Sequence, residues 1–194
     1  MNIFSKMMVK STTTTLKKTN YNIDNFILGK DETLQPKFTR ILGSNYSVNI
    51  YYLKIKSPEL NLDKNSVNIY LPMQYRKNNN QGLLNVILSK MYTKISEQEI
   101  EFIMEKARHT FGFAPEDYEI QKMPGTLAAC DKDLQTIYIN PNIAMYSKEV
   151  IEYIIFHEFC HLKYKTHSQK FYDMLKKYVP NYEKISKQIP NLKY

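Results

Sequence analysis

Three of the four histidines in this chain, His157, His161 and His167, fall within eleven consecutive residues, and the first two frame the string His157-Glu158-Phe159-Cys160-His161. No other feature restricts the fold as much, because H-E-x-x-H works only on a helix. Histidines at i and i+4 lie on one helical face with β-carbons about 5–6 Å apart. Both imidazoles then reach one zinc ion at about 2.0–2.1 Å. The flanking residues supply that helix. Ser147 is a good N-cap, Glu149 and Glu152 sit in the early turns, and Lys163 and Lys165 fall near the end, as the helix dipole prefers. Val150, Ile151, Ile154, Ile155 and Leu162 leave it little polar surface, which predicts a central helix.

A catalytic zinc ion takes three protein ligands and keeps one position open. His157, His161 and His167 are the candidate ligands. His167 lies just past the helix, where Thr166 or Ser168 caps a further helix with the apolar stripe Phe171, Met174, Leu175 and Tyr178, stopped by Pro180. Glu158 follows a ligand too closely to be one itself. Its carboxylate suits the general base that takes a proton from a water whose pKa the metal lowers to about 7. The spacing also matches the metzincin pattern H-E-x-x-H-x-x-G-x-x-H, but Tyr164 stands at the glycine position and only 27 residues follow His167. A gluzincin would draw its third ligand from a downstream glutamate, for which Glu183 is the candidate.

From Glu97 to about Lys187 the chain resembles the YgjP-like metal-dependent hydrolases. The resemblance is carried by a strand ending in asparagine (Ile137-Tyr138-Ile139-Asn140), the H-E-x-x-H helix, and His167-Ser168-Gln169-Lys170-Phe171. The strand-rich part from about Phe38 to Leu71 matches the family's N-terminal region only loosely. The resemblance implies a zincin-like α+β fold, His157, His161 and His167 as zinc ligands and Glu158 as base. One departure stands out. The family's usual Arg-Trp-Gly-Ser-Cys is here Thr126-Leu127-Ala128-Ala129-Cys130, which keeps only the cysteine. That loss weakens a nucleoside triphosphate pyrophosphatase reading, associated with the family, relative to a metallopeptidase reading. A weaker similarity links the chain to the SprT-like proteases.

The remainder organises around this centre. Residues 1–22 are polar and threonine-rich and read as a flexible arm; residues 23–194 read as one domain, strand-rich over 23–80 and helical and catalytic over 81–194. Tyr46–Ile55 and Ser66–Leu71 are expected as strands of a long-looped hairpin, and 76–82 as a linker. Leu84, Ile87, Leu88, Met91 and Ile95 predict one helix. Ser96 with Glu99 forms a capping box that starts a second, running through Ile100, Ile103, Met104, Ala107 and Phe111 to Gly112. Short strands are expected near 118–122 and 134–140.

Composition excludes wholesale disorder, since 43% of residues are hydrophobic. The net charge of +8 comes mostly from scattered lysines with only three arginines, so a non-catalytic, basic nucleic-acid-binding module with a structural zinc is the rival from another class. Glu158 argues against it, because a structural site closes its fourth position with a ligand and has no use for a base. Cys130 and Cys160 are too few for a disulfide framework, and no signal or membrane segment is apparent. The expected protein is therefore a cytoplasmic zinc hydrolase acting on a peptide or protein, with an edge strand presenting extended substrate and a nucleoside triphosphate as the alternative. His109, at a helix end, is assigned no role.

Overall fold

The computed structural model describes residues 37–76 and 80–189. The arm expected over 1–22 lies outside the described residues, as does the middle of the 76–82 linker. The first sheet contains β1 (Phe38–Ile41), β2 (Ser44–Leu53), β3 (Glu59–Leu62) and β4 (Ser66–Pro72), in the order β1-β2-β4-β3. The expected hairpin is corrected here: β2 and β4 run parallel, with Ser47 opposite Ser66 and Leu53 opposite Pro72, and β3 pairs antiparallel on the far side of β4. A parallel pair needs a crossover of about a dozen residues. The polar stretch between the two strands is that long, and it becomes the edge strand. In this register Val48, Ile50 and Tyr52 stand beside Val67, Ile69 and Leu71 in one buried cluster. The β1–β2 turn has two central residues, Leu42 and Gly43, both at positive φ (48° and 84°), the twist that antiparallel strands favour.

A single helix, α1 (Gln81–Phe111), replaces the two expected around Ser96. Ser96 does not cap. It is buried in mid-helix and its hydroxyl donates to the Pro141 carbonyl at 2.9 Å, so a tertiary acceptor takes the group that would otherwise compete with the helix backbone. The two halves of α1 serve different cores. Leu84, Leu88, Met91 and Tyr92 pack on the four-stranded sheet, while Ile100, Ile103, Met104, Ala107 and Phe111 pack with the second half of the chain. Gly112 closes the helix at φ 73°, its N–H donating to the Arg108 carbonyl.

The second sheet has β5 (Asp117–Ile120), β6 (Ala128–Asp131) and β7 (Thr136–Ile139) in the order β5-β7-β6; β7 is parallel to β5 and antiparallel to β6. Expectation covered β5 and β7. It did not cover β6, whose Ala-Ala-Cys-Asp lacks β-branched residues and alternation. Asn140 then caps a 3-10 turn (Pro141–Met145), and three helices follow: α2 (Lys148–Lys163), α3 (Gln169–Tyr178) and α4 (Tyr182–Ser186). α2 is buried along most of its length, as its composition predicts. The architecture is α+β. No helix among the described residues is long and apolar enough to cross a membrane.

Candidate metal centre

α2 begins as its sequence dictates, the Ser147 hydroxyl accepting from the Val150 N–H with Glu149 in the first turn. Its inner face carries His157 and Glu158, both buried, and His161 one turn later, half-buried. The helix ends at Lys163. Tyr164 turns the chain at φ −123° and ψ 107°, an extended conformation open to any residue, so the glycine of the metzincin pattern has no conformational work to do here. Three residues later His167 returns over the helix face.

The three imidazoles converge. The Nε2 atoms of His161 and His167 lie 3.2 and 2.9 Å from Nε2 of His157, and all three residues form one group with ligand atoms within 4.8 Å of one another. Nitrogens held at 2.0–2.1 Å from a tetrahedral ion stand roughly 3.3–3.4 Å apart, so the spacing fits a three-imidazole site. Their protonation fits as well. His161 Nδ1 lies 3.0 Å from the Tyr164 carbonyl, which can only accept, so the ring carries its proton there and points an Nε2 lone pair at the group. Burial, then the neighbouring rings, lowers the pKa of His157 to about 3; burial likewise lowers those of His161 and His167. Neutral rings with convergent lone pairs are what a borderline cation such as zinc requires. Beneath them lies the fully buried ring of Phe171, its centroid 4.8, 4.7 and 4.8 Å from those of His157, His161 and His167. This apolar floor restricts where the rings can turn.

Glu158 is held from the other side. The backbone N–H of Cys130, on β6, donates to its carboxylate, yet burial outweighs that bond and pushes its pKa up to about 8. Thus β6, absent from the sequence reading, positions the candidate base through a main-chain group that no side-chain motif reveals. Burial and the nearby carboxylate also push the thiols of Cys130 and Cys160 up to about 12, so neither is a thiolate nucleophile. Glu183, the alternative ligand, is exposed in the first turn of α4 and is not part of the histidine group; His109 is an exposed partner of Glu105 at 3.1 Å.

A family model described as YgjP-like, metallopeptidase domain, matches residues 6–191. The chain belongs to this family. Membership of a metallopeptidase family carries a metal-dependent hydrolase activity with it. Among solved structures, the metallopeptidase zymogen abylysin of Pyrococcus abyssi is 26% identical, with 46% of this chain and 90% of that one covered and a TM-score of 0.43. The zymogen jannalysin of Methanocaldococcus jannaschii is 24% identical, with 46% and 86% covered and the same TM-score of 0.43. No curated protein matches.

In this YgjP-like domain the histidines and Glu158 open onto a cleft of about 900 Å³ bounded by the 123–130 segment, Tyr146, Tyr153 and Lys165. Asn140 secures that segment. Its Nδ2 donates to the Met123 and Thr126 carbonyls at 2.6 and 2.9 Å, its Oδ1 accepts from the Asn142 N–H, and its own N–H donates to the Leu127 carbonyl. One amide side chain therefore ties the loop, the end of β7 and the 3-10 turn together. The asparagine was visible in the sequence at the end of its strand, but these partners were not.

Proposed function

We propose that the chain is a zinc-dependent peptidase in which His157, His161 and His167 hold the ion and Glu158 is the general base. The observation that carries this reading is the convergence of three imidazoles beside a buried carboxyl group, on a cleft with room for a polypeptide. A bound divalent cation supplies Lewis acidity, polarising a substrate carbonyl and acidifying water in the cleft. Glu158 takes the proton of the attacking water on a carboxylate oxygen and passes it to the departing amine. The Cys130 N–H holds that carboxylate in place throughout. β6 is an edge strand beside the cleft, so an extended peptide can add to its open side at Ala128, as β-augmentation requires. Two free thiols suit a reducing, cytoplasmic setting.

The test is elemental analysis of purified protein together with hydrolysis of peptides, unfolded protein and nucleoside triphosphates. The expected result is about one zinc per chain, with peptide hydrolysis falling at least about 100-fold in Glu158→Gln while the metal is retained. Failure to take up any transition metal, full activity of the variant, or hydrolysis confined to nucleotides would each overturn the reading.

A further inference from the structure

We propose that a second, open cavity, bordered by β1, α1 and the loop after β5, binds an acidic stretch of the polypeptide whose scissile bond lies in the cleft beside the histidines. The inference rests on the peptidase reading above. The cavity measures about 730 Å³, and Met123, Pro124, Asn140 and Asn142 line it and the metal cleft alike. The two spaces meet along that ridge, so a chain crossing it enters both.

Charge selects the occupant. Arg40 and Lys122 line the second cavity, both exposed and neither in an ion pair among the described residues. No aspartate or glutamate among the described residues lines it. In the adjoining cleft Lys165 adds a third cation, and among the described residues the one acidic lining residue is Glu158, buried and held by the Cys130 N–H. A surface of one sign attracts the opposite charge and rejects its own, which sets specificity as much as affinity. Leu88 and Met145 add apolar lining, as does Phe38, which is 70% exposed. Acidic residues interspersed with aliphatic or aromatic ones match that lining. The two cavities adjoin along a shared wall, which suits an extended polymer crossing from one to the other. The chain's own first 36 residues carry five lysines against Asp24, Asp31 and Glu32, a net positive charge that does not complement it.

The experiment measures binding apart from turnover. A fluorescent peptide of Glu, Asp and Leu, long enough at about 3.3 Å per residue to span both cavities, is titrated into metal-loaded Glu158→Gln, alongside matched peptides with Gln or Lys in place of the acids. Acidic peptide is expected to bind at least about 10-fold more tightly than the Gln peptide, the preference shrinking with salt. Adding Arg40→Glu and Lys122→Glu should remove it. Metal uptake reports whether that variant has folded; Arg40→Gln with Lys122→Gln, expected to lose part of the preference, serves if it has not. Equal binding of the three peptides, a preference undiminished by neutralisation of both cations, or tighter binding of a nucleoside triphosphate than of the peptide would overturn the proposal. Charge-dependent binding without hydrolysis in the wild type would sustain it and remove the peptidase reading instead. Hydrolysis indifferent to acidic flanks would do the reverse.

Discussion

At the scale of single residues, the decisive arrangement is a set of imidazoles beside a carboxyl group whose pKa burial raises in the metal-free protein. The two kinds of group pull metal-free stability in opposite directions with pH. Glu158 is raised from 4.5 to about 8, so the folded state binds the extra proton between those values; its contribution is present below about 4.5 and lost as pH rises to about 8. His157 is lowered from 6.5 to about 3, so its contribution is present above about 6.5 and lost as pH falls to about 3, with His161 and His167 shifted the same way. The stripped protein should therefore be most stable in mildly acid solution. Glu158→Gln should abolish only the alkaline loss, and thermal unfolding in chelator between about pH 5 and 8.5 reads the difference. Parallel profiles for the two proteins would contradict the assignment. His167→Ala should weaken zinc binding about 10-fold or more, while Glu183→Ala leaves it unchanged, because two histidines alone hold the ion poorly. Metal lost with Glu183→Ala and kept with His167→Ala would revive the gluzincin arrangement.

At the scale of elements, α1 and the 3-10 turn before α2 are joined by one buried hydroxyl. Ser96→Ala leaves the Pro141 carbonyl without that donor, at a cost of about 1–3 kcal/mol in chemical denaturation. Helix content should not change, since alanine is the better helix former. A loss of helix would mean that Ser96 shapes α1 itself. The position also shows where pattern reading fails. Ser96-x-x-Glu99 satisfies the capping box, but Glu99 instead pairs with Lys148 at 2.8 Å, on α2. Both members of the apparent cap are spent on tertiary partners, which local sequence does not contain.

At the scale of the molecule, two hydrophobic clusters are bound into one structure by α1 and by the β1–β2 turn. The turn reaches the N-cap of α2 directly. Leu42 N–H donates to the Ala144 carbonyl at 2.8 Å, and a β-carbon on Gly43 would sit 3.0 Å from Cβ of Ser147, the N-cap of α2. Gly43→Ala therefore combines a positive-φ penalty with a clash, and about 2 kcal/mol or more of stability should be lost. Gly112→Ala, at a similar φ but with nothing within 4 Å of the added carbon, should lose only the conformational part, about 1 kcal/mol. Equal losses at the two sites, measured by urea unfolding, would show that the turn does not bear on α2.

The sequence by itself determined α2, its cap, the candidate ligands and base, the helix that follows, and strands β5 and β7. Those features rest on periods of 3.6 and 2, on capping chemistry and on ligand spacing, all local along the chain. Only the tertiary structure decided that β2 and β4 run parallel, that α1 passes through Ser96 unbroken, and that β6 lies beside Glu158. It also decided that a second cavity adjoins the metal cleft. Each of these depends on a partner far away in sequence: a strand register chosen by burial, a carbonyl 45 positions on, a backbone N–H whose residue type is irrelevant to its role. Main-chain donors and shared walls leave no side-chain signature, so they become visible only when the chain is folded.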